Sequence, residues 1–232
     1  MSEGLYASLN VGLNSGDEAD RVRENRRRFL AAGGFERPWA SIHQVHGPEV
    51  VAIGAGGGPE AEYGDALISD RSAVPIGIFT ADCTPLLLAD RTGRTVAAVH
   101  AGWRGTAAGI VARTIECLER RFGVTPSGLV AAIGPAAKRC CYEVGDDVVD
   151  AFEQIDPTPA RDDKESWIAQ GPRRSHVDPP VMIRRQLRSA GVPAAQIHAS
   201  GLCTLCRADL FFSYRRDGQE SGRLVSVVQA SR

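Results

Sequence analysis

Residues 86–100, LLLADRTGRTVAAVH, consist of two apolar runs joined by a short polar connection that contains a glycine. Apolar runs of this length around a glycine-containing turn predict a β-hairpin. The strands of a hairpin bring its open ends together. Cys83, just before the first strand, and His100, at the end of the second, are therefore predicted to lie side by side although 17 positions separate them.

A third ligand for a soft metal, His46, stands at a predicted turn between apolar strands at 41–45 and 49–53. Two imidazoles and one thiolate suit zinc, and three protein ligands leave a fourth position for water or substrate. The set of His46, Cys83 and His100 therefore predicts an open, catalytic metal site, with zinc as the expected ion and copper as the second candidate. The alternative is that each residue merely ends a strand beside a turn.

After His100 the chain is predicted to turn and to enter a helix that Thr106 caps, with one apolar face along residues 107–122. The N-terminus of this helix would direct free backbone N–H groups toward the metal site, with Arg104 beside it. Both features favour an anion at this position. Phosphate is the predicted anion.

The rest of the chain alternates between strand and helix patterns without internal repeats. Further strands are predicted at 74–79, 129–133 and 224–228, and further helices at 146–154 and 180–190. Two loops, at 54–59 and 156–164, are too short to separate domains. We therefore expect one domain, residues 1–232, of the α+β class, with a mixed sheet covered by helices.

Composition is that of a globular protein, with 43% hydrophobic and 24% charged residues among 232. The 27 basic and 28 acidic residues nearly cancel, so no overall field favours nucleic acid or an anionic membrane. No apolar signal core and no stretch of bilayer-spanning length is found. The expected location is the cytoplasm.

Eight short motifs resemble the signature of the laccase-domain family, which is also described as YfiH-like or peptidoglycan-editing-factor-like. They are NVG at 10–12, VRENR at 22–26, QVHG at 44–47, TADC at 80–83, HAGWRG at 100–105, GP at 134–135, CCYEVG at 140–145 and FSYRRDG at 212–218. The resemblance implies a mixed α/β/α sandwich. It also implies a zinc-dependent purine nucleoside phosphorylase that acts on adenosine, inosine and methylthioadenosine, with adenosine deaminase side activity.

Both reactions fit the predicted site. A metal-activated water can attack C6 of adenine, but the H-x-E glutamate of the usual zinc deaminases is missing, so Asp82 is the candidate proton carrier. A turn-capping role is the alternative for Asp82. In phosphorolysis, phosphate attacks C1′ of the ribose while negative charge grows on the departing purine, and Arg104 is the candidate phosphate contact.

Three further residues are candidate substrate contacts. By resemblance, Arg26 contacts an anion or the ribose, although it belongs to the run Arg26 to Arg28, which is also typical of a solvated helix face. Gln44, beside the His46 turn, and Tyr214 are predicted to reach the nucleoside, with packing or surface roles as the alternatives.

The six cysteines are expected to be reduced thiols, because no secretion signal is seen. Cys203 and Cys206 have a C-x-x-C spacing, which is typical of half a zinc site or of a redox pair. No second pair stands at zinc-ribbon spacing, and a bond between the adjacent Cys140 and Cys141 would be strained. A structural or incidental role is therefore favoured for Cys203 and Cys206.

Three rival functions use the same residues differently. A multicopper oxidase needs more imidazoles than the five histidines of this chain provide, so that function is disfavoured. A cysteine hydrolase, such as an amidase that edits peptidoglycan precursors, would use Cys83 as nucleophile and His100 as its base. A non-catalytic metal-binding module is disfavoured because three ligands make an open site.

Overall fold

The computed structural model describes residues 2–7, 9–156, 166–171 and 173–231. The hairpin forms as predicted: β4 (Thr84–Asp90) and β5 (Val96–Ala101) are antiparallel, and Pro85 lies opposite His100. The Asp90 carboxylate accepts hydrogen bonds from the backbone N–H groups of Thr92 and Thr95, and this closes the turn. The open end of the hairpin thus holds both Cys83 and His100.

The other strands are short, with three to five residues each. They are β1 (Val50–Ala52), β2 (Ala66–Ser69), β3 (Ile76–Thr80), β6 (Leu129–Ile133), β7 (Ile168–Gln170), β8 (Ser175–Val177), β9 (Ile197–Ala199) and β10 (Leu224–Val228). Four of them join β4 and β5 in a six-stranded sheet of order β1-β2-β5-β4-β6-β9, with antiparallel pairs in the centre and a parallel pair at each edge. The sheet is therefore mixed, as expected.

Six α-helices are described. They are α1 (Ala19–Gly33), α2 (Trp103–Ala107), α3 (Ile110–Phe122), α4 (Asp146–Ile155), α5 (Pro179–Ser189) and α6 (Tyr214–Asp217). The face of α3 that carries Ile110, Val111, Ile115 and Leu118 is buried against the sheet, together with α5. Each buried aliphatic side chain of this kind contributes about 1.5–3 kcal/mol relative to its exposed state. No described helix is long and apolar enough to cross a bilayer.

The second face of the sheet is covered by an antiparallel ribbon of β3 and β10, and α1 packs outside this ribbon. Phe29 of α1 meets Trp39 edge to face, and Trp39 in turn meets Phe79 of β3. The expected α+β class, with a mixed sheet covered by helices, is confirmed. The β3–β10 ribbon is an additional layer between the sheet and α1.

Two local predictions differ from the structure, and a third is not tested by it. Thr106 caps no helix, because α2 already begins at Trp103, and Gly109, in the left-handed region at φ 83°, separates α2 from α3. Residues 41–45 form no regular strand, since the Gln44 side chain occupies the backbone groups of Phe79 that a neighbouring strand would use. Residues 157–164 of the second predicted loop lie outside the described residues.

Candidate metal centre and active site

His46, Cys83 and His100 come together at the open end of the hairpin. Their ligand atoms all lie within 4.8 Å of one another, and Cys83 Sγ is 3.9 Å from His46 Nε2. The two imidazole rings meet edge to face, with centroids 4.7 Å apart. A nitrogen and a sulfur bound to one tetrahedral zinc ion would lie about 3.6 Å apart. The three side chains therefore fit zinc in both chemistry and spacing.

Asp65, which sequence reasoning missed, holds two of these ligands in place. Its fully buried carboxylate accepts the backbone N–H groups of Val45, His46 and Gly47 at 3.1, 2.9 and 2.8 Å. The same carboxylate bonds Nδ1 of His100 at 2.7 Å. This bond turns His100 Nε2 toward the other ligands, in the carboxylate–histidine arrangement common behind zinc sites.

Two non-glycine residues of the site have left-handed backbone conformations, His46 at φ 62° and Asp82 at φ 83°. Such strain costs about 1–3 kcal/mol and is often found at functional sites. The carboxylate of Asp82 accepts hydrogen bonds from Thr204 Oγ1, Ser213 Oγ and the Arg215 N–H at 2.5, 2.8 and 2.7 Å. These three donors favour the turn-stabilising role, in which Asp82 fixes the position of its neighbour in the chain.

Gly102 and Gly105 allow the short helix α2 to approach the site closely. A Cβ atom at position 102 would lie 3.0 Å from His46 Cδ2 and 3.3 Å from Cys83 Sγ. At position 105 a Cβ atom would lie 2.8 Å from the carbonyl oxygen of Gly47. Any side chain at these positions would displace a ligand or the loop that carries it.

Mutual charge stabilisation shifts the pKa values of the site. Burial raises the pKa of the Cys83 thiol, but hydrogen bonds and charge from His100 and His46 outweigh it and lower that pKa to about 6. Burial lowers the pKa of His100, yet Asp65 and Cys83 outweigh it and raise that pKa to about 9. Burial also opposes the ionised form of Asp65, but His100 and the backbone N–H groups lower its pKa. In the absence of metal, these shifts favour a pair of thiolate and imidazolium at Cys83 and His100.

The ligands open onto a cavity of about 980 Å³, whose walls also include Arg26, Gln44, Phe79, Tyr214 and Arg223. This volume is at the upper end of the range for small-molecule sites, which is about 300–1,000 Å³. The walls combine aromatic rings, a guanidinium from each end of the chain and polar groups. They suit a ligand with a planar ring and an anionic part.

Both arginines of the cavity are held by hydrogen bonds to backbone carbonyls, and Arg26 also packs on two aromatic rings. Its Nε donates to the carbonyl of Val11 at 2.8 Å, and its guanidinium lies over Trp39 and Phe79 at 5.4 and 5.3 Å. The other arginine, Arg223, lies over Tyr214 at 5.8 Å. Burial lowers the pKa of Arg26, though not enough to neutralise a guanidinium. Packing thus holds a cation in the cavity wall.

Gln44, Tyr214 and Arg104 have different positions relative to the cavity. The Gln44 side-chain amide is fixed at both ends, because Nε2 donates to Phe79 O and Oε1 accepts from Phe79 N, each at 2.8 Å. Tyr214 is half-exposed in the cavity wall. Arg104 is exposed above the ring of Trp103 at 4.2 Å and is absent from the cavity wall, so its predicted phosphate contact has no geometric support.

Residues 1–231 match the model of the family described as multi-copper polyphenol oxidoreductase laccase. The chain belongs to this family. The copper oxidase chemistry in that description does not fit the residues present, because only one group of potential ligands in the described part of the chain contains imidazoles.

Several named proteins are similar over nearly their whole length. Purine nucleoside phosphorylase YlmD of Geobacillus stearothermophilus is 37% identical over 98% of this chain and 85% of the relative. The crystal structure of YlmD from Geobacillus stearothermophilus superimposes with a TM-score of 0.86 and covers 100% of this chain and 88% of that chain. Purine nucleoside phosphorylase YfiH of Escherichia coli K12 is 36% identical, covering 96% and 86%. The Bacillus licheniformis hypothetical protein YfiH has a TM-score of 0.88 at 31% identity, covering 99% and 88%.

Proposed function

We propose that this protein is a purine nucleoside phosphorylase that acts on adenosine, inosine and methylthioadenosine. The observation that carries the proposal is the three-ligand centre, oriented by Asp65, at one end of a cavity that also contains two arginines. Relatives named purine nucleoside phosphorylase, at 36–37% identity over nearly the whole chain, support the same reaction class.

Zinc is the proposed ion at His46, Cys83 and His100, with copper as the second candidate, because the donor set contains two nitrogens and one sulfur. When bound, zinc would supply Lewis acidity for negative charge on the purine and would lower the pKa of a water molecule for deamination. The phosphate would be bound by Arg26 and Arg223, since these cations line the cavity. Tyr214 would contact the nucleoside, and Gln44 would fix the loop that carries His46.

An adenosine deaminase side activity is part of the proposal. Its proton carrier would have to face the substrate. The Asp82 carboxylate already accepts three hydrogen bonds from the protein, so it is a poor candidate for this role. Glu62 lines the cavity and carries a carboxyl group, so it is the better candidate. This assignment replaces the role for which Asp82 was considered from the sequence.

The test is to incubate zinc-loaded protein with adenosine, inosine and methylthioadenosine, with and without phosphate, and to separate the products by chromatography. Phosphorolysis breaks the bond between C1′ and the purine and gives the free base with ribose 1-phosphate, or methylthioribose 1-phosphate from the third substrate. Deamination converts adenosine to inosine without phosphate. Release of base at the same rate in the absence of phosphate would contradict the phosphorylase assignment.

One observation favours a second candidate, a cysteine hydrolase. Cys83, His100 and Asp65 are arranged as thiolate, imidazolium and carboxylate, which are the parts of a nucleophile, its base and an orienting group. Protein stripped by a chelator and verified as metal-free decides between the two. We expect nucleoside turnover to stop and to recover with zinc, whereas undiminished activity would support the hydrolase.

A further inference from the structure

A second group of converging ligands lies outside the proposed active site. It consists of four thiols: Cys140 and Cys141 in a turn that follows β6, and Cys203 and Cys206 in the loop that follows β9. All four sulfurs lie within 4.8 Å of one another. The sulfur of Cys206 is 3.5 Å from that of Cys140 and 3.1 Å from that of Cys141. Cys140 and Cys141 thus form a second pair of cysteines beside the C-x-x-C pair, which sequence spacing alone did not reveal.

The backbone holds the two cysteine segments side by side. Ala136 and Cys203 form a parallel bridge, in which the Thr204 N–H donates to Ala136 O at 3.1 Å. Lys138 Nζ donates to the carbonyl of Gly201 at 3.1 Å and so links the same two segments. The convergence therefore does not depend on side-chain rotamers alone.

Backbone N–H groups also point at the buried sulfur of the group. Those of Lys138, Leu205 and Cys206 hydrogen-bond to Cys203, which is 6% exposed. N–H donors of this kind stabilise a metal-bound thiolate, as do the hydrogen bonds that surround other thiolate-ligated metals. A single disulfide would use two of the sulfurs and leave the other two without a reason to converge.

We propose that Cys140, Cys141, Cys203 and Cys206 form a closed, tetrahedral site for a structural zinc ion. Sulfurs around one zinc ion lie about 3.8 Å apart, close to the 3.1 and 3.5 Å separations in this group. Four protein ligands leave no position for water or substrate. The ion holds the two segments together and takes no part in the chemistry of the first centre.

The site supports the active centre through one hydrogen bond. Thr204, between Cys203 and Cys206, donates to Asp82, whose neighbour Cys83 is a ligand of the first centre. The loop that zinc would fix is therefore the loop that holds Asp82.

The test counts metal ions in the full-length chain and needs no activity assay. Wild type, Cys206→Ser, His46→Ala and Cys117→Ser are purified under reducing conditions, loaded with zinc, desalted and analysed by mass spectrometry of the metal. Cys117 lies in α3, outside both groups, and is the matched control for loss of a thiol. We expect about two zinc ions per chain in wild type and Cys117→Ser, and about one in each of the other two.

Cobalt substitution identifies which site is lost. The strong near-ultraviolet sulfur-to-cobalt absorption of a four-thiolate site should persist in His46→Ala, and in Cys206→Ser it should fall to the weaker absorption of the single thiolate at the first centre. Cys140→Ser, at a second exposed position, gives the same comparison if Cys206→Ser does not fold. About one zinc ion in wild type, lost only in His46→Ala, would overturn the proposal. So would a disulfide among the four cysteines in protein that holds a single ion. Failure of phosphorolysis would leave the metal count unchanged.

Discussion

The two groups of candidate metal ligands in this protein differ in what surrounds them. His46, Cys83 and His100 have a buried carboxylate behind them and a cavity of about 980 Å³ in front. The four cysteines have backbone N–H donors behind them and exposed thiols at Cys140 and Cys206 in front. Three ligands with an open side suit chemistry, whereas four ligands suit cross-linking of loops. The surroundings of a ligand set therefore indicate its role better than the ligands themselves.

The largest effect that distinguishes the two groups is expected when Asp65 is replaced. The Asp65 carboxylate orients an imidazole of the first centre, whereas the four-cysteine group contains no imidazole. Asp65→Asn should lower zinc affinity at the first centre up to about 100-fold, because the amide cannot accept all the bonds from the loop and His100. Competition with a chromophoric chelator measures this affinity.

The control for this change lies at the opposite end of the same strand. Asp70 follows β2 and is exposed, whereas Asp65 precedes it and is buried. Asp70→Asn should leave both zinc sites unchanged. Equal zinc affinity in Asp65→Asn and wild type would show that the carboxylate does not orient His100.

A smaller effect is expected at the open side of the first centre. Arg26→Ala should raise the KM for phosphate about 10- to 100-fold, since a charge-assisted hydrogen bond contributes about 1.5–3 kcal/mol. The zinc content should not change, because Arg26 donates to Val11 and not to a ligand. Initial rates at varied phosphate measure the effect.

The neighbouring Arg27 is the matched control, because it is exposed and pairs with Glu24 on the surface of α1. Arg27→Ala and Arg104→Ala should leave the KM for phosphate unchanged. A rise in Arg104→Ala, without one in Arg26→Ala, would return the phosphate contact to the position first predicted from the sequence.

The smallest effect is expected in the alkylation rates of the thiols of the two centres, compared in metal-free protein. The pKa of Cys83 is about 6, so its reactive thiolate exists above this pH and is lost as the pH falls through it. Alkylation of Cys83 by iodoacetamide should be roughly tenfold faster at pH 7 than at pH 5. Hydrogen bonding to Cys206, then burial, raises the pKa of Cys141 to about 11, so it should react far more slowly at both values.

Peptide mass spectrometry at timed intervals gives the rate at each cysteine separately. Zinc added before the reagent should protect both thiols. A midpoint for Cys83 above pH 8 would mean that His46 and His100 do not hold its thiolate.

Local patterns in the sequence predicted much of the fold. The bounds 129–133 and 224–228 agree with β6 and β10, because each is an apolar run flanked by turn residues. The apolar face of α3 and its end at Gly123, which has a φ of 71°, were also evident from spacing alone. The hairpin was sufficient to predict that Cys83 and His100 lie side by side.

Long-range pairing was not accessible in this way. Asp65 stands before the short strand β2, and nothing near it in the sequence indicates that His46, 19 positions away, and His100, 35 positions away, converge on it. Likewise, 65 positions separate Cys141 from Cys206. Spacing predicted one helix from Thr106, whereas α2 begins at Trp103 and the left-handed Gly109 separates it from α3. A single sequence shows ligand types, whereas only the fold shows their partners.

Pairing between β3 and β10 affects the order in which the protein can fold. Leu224 pairs with Thr80, so this ribbon joins segments 144 positions apart, and contacts of such separation form slowly. The β4–β5 hairpin is local and can form while the C-terminal segment is still being synthesised. We therefore expect a nascent chain to assemble the three ligands of the first centre before Tyr214 and Arg223 reach the cavity wall. Ion capture and nucleoside capture would then be separate stages in the maturation of one molecule.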